Sequence, residues 1–159
     1  NDIFYHGSSK PLKGKLIAKP RLTEFSNRYD SKGVNIEKFI EGFKPSSSPS
    51  RLKCIFMSDN VKDLNLLGAS ENYVYEVKPL GNVIRADFAW IQEVLGIVFE
   101  GELLSGNPFA EELAKGYWSN KSCPYSDRSR PLWEYLTAAV EINAQVNSIN
   151  NIKSSKRRR

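Results

Sequence analysis

The apolar residues of this chain come in short runs, each closed by turn formers before it reaches the length of a long helix. Ile3 to His6 reads as a strand stopped by "GSSKPLKGK", and "RLKCIFMS" at 51–58 reads as a strand stopped by "DN". "NYVYEVKPLG" at 72–81 alternates in side-chain type, as a half-buried strand does, and ends at Pro-Leu-Gly. Such punctuation predicts a compact α+β domain built from short strands and short helices. "VIRADFAW" at 83–90 adds a further strand. Helical patterns are expected around Ile36, Phe39, Ile40 and Phe43, across "DNVKDLNLLGAS" at 59–70 behind an Asp or Asn cap, and over "AEELAKGYW" at 110–118, ending near Gly116. "LWEYLTAAVEINAQV" at 132–146 fits either period; the preceding proline and the Val-Glu-Ile end favour two strands' worth of extended chain. The loop "PSSSPS" at 45–50 is too short to link independent bodies, and the sequence shows no internal repeat.

A chain of 159 residues suits one domain, expected over 1–150. No apolar run approaches the roughly 20 residues that cross a bilayer, and Asn1–Phe4 lack the basic start and apolar core of a secretory signal, so a monomeric cytoplasmic protein away from membranes is expected. Cys54 and Cys123 would pair only if folding joined them, and two free thiols are the simpler expectation. The formal net charge of +5 suits a polyanionic partner, yet part of the excess sits in "KSSKRRR" at 153–159. Residues 151–159 are expected to form a basic, disordered tail.

The single histidine, in "IFYHGSSKPL" at 3–12, could be a core residue, a metal ligand, a general base or a ligand anchor. A zinc site is not expected from one His and two distant Cys, and no acidic calcium loop is present. The chain also lacks a G-x-S-x-G elbow and the glycine loops that cradle nucleotide phosphates.

Three segments remain. "YHGSS" at 5–9, "IFMSDN" at 55–60 and "WEYL" at 133–136 together resemble, in content and order, the NAD-dependent ADP-ribosyltransferases, in the branch of diphtheria toxin and the poly-ADP-ribose polymerases. "KLIAKP" at 15–20 is a counterpart of that family's adenosine segment. The resemblance reaches to about residue 146 and implies a split β-sandwich of two antiparallel sheets with short helices. It implies a mono-ADP-ribosyltransferase, a toxin or effector catalytic domain that uses NAD as substrate without a metal and can be delivered into a target cell's cytosol. An NAD glycohydrolase on the same scaffold and a non-catalytic basic nucleic-acid-binding domain are the alternatives.

Residue by residue, the resemblance makes Glu134 the catalytic carboxylate, holding the 2′-hydroxyl of the nicotinamide ribose beside an oxocarbenium-like sugar. His6 becomes an anchor for an adenosine ribose hydroxyl. Gly7 brings its main chain to the nicotinamide amide, Phe56 offers a ring face, and Ser58 supports Glu134 or its strand. Ser8, Ile17, Ala18 and Leu67 complete the expected NAD contacts. Leu67 stands where the toxin branch has a second stacking tyrosine, a role left to Tyr73, Tyr117 or Trp118. Leu132 occupies the place where arginine-modifying relatives carry Glu or Gln, which argues against an arginine acceptor. The loop at 119–130, with Lys121, Tyr125, Arg128 and Arg130, is expected to meet a macromolecular acceptor, protein or nucleic acid.

Overall fold

The computed structural model of the chain describes residues 3–20 and 36–146, so the basic tail at 151–159 and the first part of the 22–44 segment lie outside the described residues. Strands β1 (Phe4–Ser8), β4 (Tyr73–Pro79), β7 (Ala139–Val146) and β2 (Lys15–Ile17) form one antiparallel sheet in the order β1-β4-β7-β2. Strands β3 (Ile55–Met57), β6 (Trp133–Thr137) and β5 (Val83–Asp87) form a second, in the order β3-β6-β5. Helices α1 (Ile36–Glu41), α2 (Ala89–Phe99) and α3 (Pro108–Tyr117), with a 3₁₀ turn at Val61–Asp63, complete the described elements.

The segment at 132–146 is extended as its sequence predicts, and it serves both sheets. β6 lies in the small sheet and β7 in the large one, with Ala138 between them. A further link is a single bridge between Tyr5 of β1 and Ser58, just past β3: Tyr5 donates to Ser58 O at 2.8 Å and Ser58 donates back to Tyr5 O at 2.9 Å.

The small sheet is covered on both faces. One apolar cluster, with Ile55, Met57, Tyr75, Val77 and Val140, fills the space between the sheets. The other carries Ala86 and Leu132 against α1, α2 and α3 through Ile40, Val94, Leu113 and Tyr117. Full burial of a Leu, Ile or Val is worth about 1.5–3 kcal/mol, so these two clusters determine which residues of β6 point where. Glu134 and Leu136 face the helices; Trp133 and Tyr135 alternate to the other side.

Four expectations are corrected. "VIRADFAW" is strand only to Asp87, and α2 begins at Ala89, whose N–H is taken by Asp87 Oδ1 at 3.0 Å. In "RLKCIFMS" only Ile55–Met57 is strand; Ser50–Lys53 is a tight turn closed by Lys53 N donating to Ser50 O at 3.1 Å. The expected helix at 59–70 is reduced to the 3₁₀ turn, capped by Asn60 Oδ1 on Lys62 N at 3.0 Å. Helix α3 starts earlier than its periodicity suggests, with Asn107 accepting from Phe109 and Ala110 and Pro108 in the first turn. Cys54 and Cys123 are both free and buried.

Candidate functional site

β3 pairs with β6 through Phe56↔Leu136 and Met57↔Tyr135, so one further step of that register sets Ser58 opposite Glu134. Ser58 is bridged to Tyr5 on its other side. The Tyr-His-Gly segment and Glu134 are therefore two inter-strand spacings apart, roughly 10 Å. Three segments widely separated along the chain meet in one row.

On β1, His6 uses Nδ1 to bond the Phe56 carbonyl at 2.8 Å. A carbonyl only accepts, so Nδ1 is the nitrogen that donates in this bond. Because antiparallel strands alternate their hydrogen-bonding edges, the N–H and C=O of Gly7 face the same edge as those of Tyr5, away from β4. Glycine is required here by the protein itself: a Cβ on Gly7 would lie 2.1 Å from Ser70 O. Ser8 closes β1 with its hydroxyl, donating to Lys10 O at 2.7 Å.

Glu134 is 2% exposed and sits in a buried polar cluster. Its Oε1 accepts from Arg51 Nη1 and, at 2.5 Å, from the Tyr117 hydroxyl. Arg51, 4% exposed, is gripped from the other side by Glu37, at 2.8 Å from Nε and 3.1 Å from Nη2, and its guanidinium carbon lies 4.8 Å from the Phe56 ring centre. Burial pushes the Glu134 carboxyl above its usual range, against the pull of Arg51 and of the Tyr117 hydrogen bond, while Glu37 adds to the rise. Burial likewise opposes the charge on Arg51, and the two carboxylates with Tyr117 more than offset it. Burial and Glu134 push the Tyr117 phenol well up, against Arg51.

Several expected roles change. The Ser58 hydroxyl does not reach Glu134; it donates to Asn60 O at 2.8 Å and accepts from Asn60 N at 3.0 Å, a local turn that costs no reach. Phe56 already holds the Arg51 guanidinium against its ring. Tyr117 is fully enclosed and committed to Arg51 and Glu134, so it offers no stacking surface, and Trp118 donates its indole N–H to Ile40 O at 2.8 Å. Leu67 packs against the helical cluster. Ile17 and Ala18 are not brought to His6: β2 is the opposite edge of the large sheet, three spacings or about 14 Å from β1. Ile17 is exposed and Ala18 buried.

The expected acceptor loop is tied at both ends by one carboxylate. Asp87, 1% exposed, accepts from Cys123 N at 2.8 Å and Leu132 N at 3.1 Å. Along the loop, Tyr125 donates to Glu112 on α3, Arg128 to Gln92 on α2, and Arg130 bidentately to Asp63 at 2.6 and 3.0 Å. Leu66, Arg128, Ser129, Arg130, Pro131 and Leu132 line a groove of about 230 Å³ immediately before β6.

Among the described residues no helix is long and apolar enough to cross a membrane, and no group of three or more His, Cys, Asp or Glu is gathered as a metal site would require. No model of a known protein family matches the chain, and no curated protein matches it. Arg51, Glu37 and Asp87 are the site residues that sequence reasoning missed. Apart from the Ala89 N–H that Asp87 accepts, their partners are far along the chain, and no local motif marks them.

Proposed function

We propose that the protein is an NAD-dependent mono-ADP-ribosyltransferase with an ADP-ribosyltransferase-like split β-sandwich, releasing nicotinamide and passing ADP-ribose to a macromolecule. The observation that carries the reading is the single row of strands in which the Tyr-His-Gly, Ser-Asp-Asn and Glu-Tyr segments become neighbours. In that row Gly7 presents a donor and an acceptor at an open strand edge, a pair that suits a primary amide such as nicotinamide's. Glu134 supplies the charge that an oxocarbenium-like ribose needs, and the buried surroundings strengthen it. His6, held by the Phe56 carbonyl, is the proposed anchor for an adenosine ribose hydroxyl. The groove beside Arg128 and Arg130 is the place proposed for the acceptor.

A second reading has an observation of its own. Glu134 is almost wholly enclosed by Arg51 and Tyr117, which is how a structural carboxylate in a non-catalytic binding domain is held. One experiment separates the two. The protein is incubated with NAD labelled in its adenylate half and a cell lysate, nicotinamide release is followed, and the products are digested separately with protease and nuclease. Label transferred to protein or nucleic acid supports the transferase, and its digestion pattern names the acceptor class. Nicotinamide release without transfer points to a glycohydrolase. A protein that neither binds NAD by calorimetry nor releases nicotinamide overturns the reading in favour of the binding domain.

A further inference from the structure

The two oxygens of Glu134 are in different surroundings. Oε1 takes both hydrogen bonds, from Arg51 and from Tyr117. No hydrogen bond among the described residues reaches Oε2, yet no buried side-chain nitrogen or oxygen among them lacks a partner, so Oε2 is the atom through which Glu134 meets solvent. The clamp on Oε1 is rigid for stated reasons. Tyr117 has one hydroxyl proton and accepts from Arg51 Nη1 at 2.5 Å, so that proton goes to Glu134. Arg51 is a planar fork held on one edge by Glu37 and on one face by Phe56, which leaves it a single orientation.

We propose that Arg51 and Tyr117 are positioning residues for Glu134: together they occupy Oε1, fix the plane of the carboxylate and leave Oε2 as the one oxygen that meets a hydroxyl of the bound ribose. The proposal rests on the transferase reading above and names residues which that reading did not contain. Glu37 is the anchor of the arrangement, because it holds Arg51 from the side away from Glu134. Among the described residues, the charged and titratable groups facing Glu134 are Arg51 from the turn before β3, Tyr117 from α3 and Glu37 from α1; β5 contributes Ala86 as its register partner. These groups act on the carboxyl with different signs. Arg51 and Tyr117 favour its ionised form, whereas Glu37 opposes it.

The opposed signs give the test. Side-chain carboxyl carbons of glutamate are isotope-labelled, the Glu134 signal is assigned by its loss in Glu134→Gln, and it is followed by NMR through a pH titration in the wild type, Tyr117→Phe, Glu37→Gln and Arg51→Gln. The pH profile of nicotinamide release is measured in parallel. The Glu134 midpoint is expected to move up in Tyr117→Phe and Arg51→Gln and down in Glu37→Gln. The acidic limb of kcat/KM follows each shift in the same direction, with the loss in Tyr117→Phe falling on kcat rather than KM. Arg51→Gln removes a buried charge and is the variant most at risk of failing to fold; Tyr117→Phe and Glu37→Gln carry the test without it. Midpoints that stay put in both, or move the same way in both, overturn the proposal, and so does an acidic limb of kcat/KM that fails to follow them, since a merely structural clamp would shift the carboxyl without moving the activity profile with it. If the midpoints move as expected while the wild type releases no nicotinamide, the pinning of Oε1 stands and the transferase reading is what fails.

Discussion

Two arginine–carboxylate contacts flank β6, and they differ in what surrounds them. Arg51 lies between Glu37 and Glu134 with every partner nearly inaccessible, whereas the Arg130 side chain is 56% exposed and only its partner Asp63 is buried. Breaking the first leaves two carboxylates, 2% and 3% exposed, without the cation that offsets their charge. Breaking the second opens one carboxylate toward the groove at 128–132, where water can replace the guanidinium. Burial therefore ties the Arg51 cluster to the stability of the fold, and the Arg130 clamp chiefly to the shape of the loop.

The largest expected effect tests the enclosed side. Arg51→Ala should lower stability by about 3–5 kcal/mol, the usual cost of removing one partner from a buried ion pair, as measured by urea unfolding. A loss no larger than that of an exposed Lys or Arg would erase the distinction between the two contacts.

Glu134→Gln sharpens the comparison because it keeps the hydrogen bonds and removes one of two competing charges. Arg51 and Glu37 remain as a neutral pair, so the fold should persist while nicotinamide release drops by roughly 10²- to 10³-fold. Glu141, exposed on β7, is the control and should tolerate the same change. The pH dependence has a definite sign. A carboxyl whose folded value is raised contributes stability below its unfolded value of about 4.3 and loses it as pH rises through the folded value. Activity requires the ionised form and runs the other way. Wild type should thus lose stability relative to Glu134→Gln across that window while gaining turnover, read as the difference between their thermal midpoints from acid to neutral pH.

His6→Ala should weaken NAD binding by about 1–2 kcal/mol, with the effect on KM and no change in the shape of the pH profile near 6–7, where an unperturbed histidine titrates. Disappearance of a titration there with NAD affinity intact would make His6 a general base.

The smallest effect belongs to the exposed clamp. Changing Tyr125, Arg128 and Arg130 together to Ala should reduce transfer to the acceptor while sparing NAD hydrolysis, because the two reactions share bond breaking and differ in what attacks. Equal loss of both activities would move the loop into the group that supports the chemistry.

Local signals made much of this architecture legible. Asn60 caps the turn that follows it, and the proline at 131 marks the start of extended chain at β6, whereas the Asn107 cap of α3 was not read. Helix α2 was not legible. Only its first two residues fell in a segment read as strand, and although its buried residues Trp90, Ile91, Val94, Ile97 and Val98 recur at helical spacing, four of the five are β-branched, a composition that favours strand. Arg51 read as the first residue of a strand for a related reason. Its contacts with Glu37, Tyr117 and Glu134 span 14, 66 and 83 residues, distances over which no sequence period extends.

Order along the chain was enough to single out His6, Gly7 and Glu134 as candidates, because a lone histidine before a glycine and a Glu-Tyr opening a strand are features of neighbours in sequence. It was also enough to predict extended chain on both sides of Ala138. Which oxygen of Glu134 is occupied, which ring of Phe56, Tyr117 and Trp118 is already committed, and which edge of the sheet Ile17 and Ala18 reach were decided by strand pairing and helix packing. The reason is physical: backbone propensity acts over a few residues, whereas desolvation and ion pairing act between whatever groups the closed core brings together.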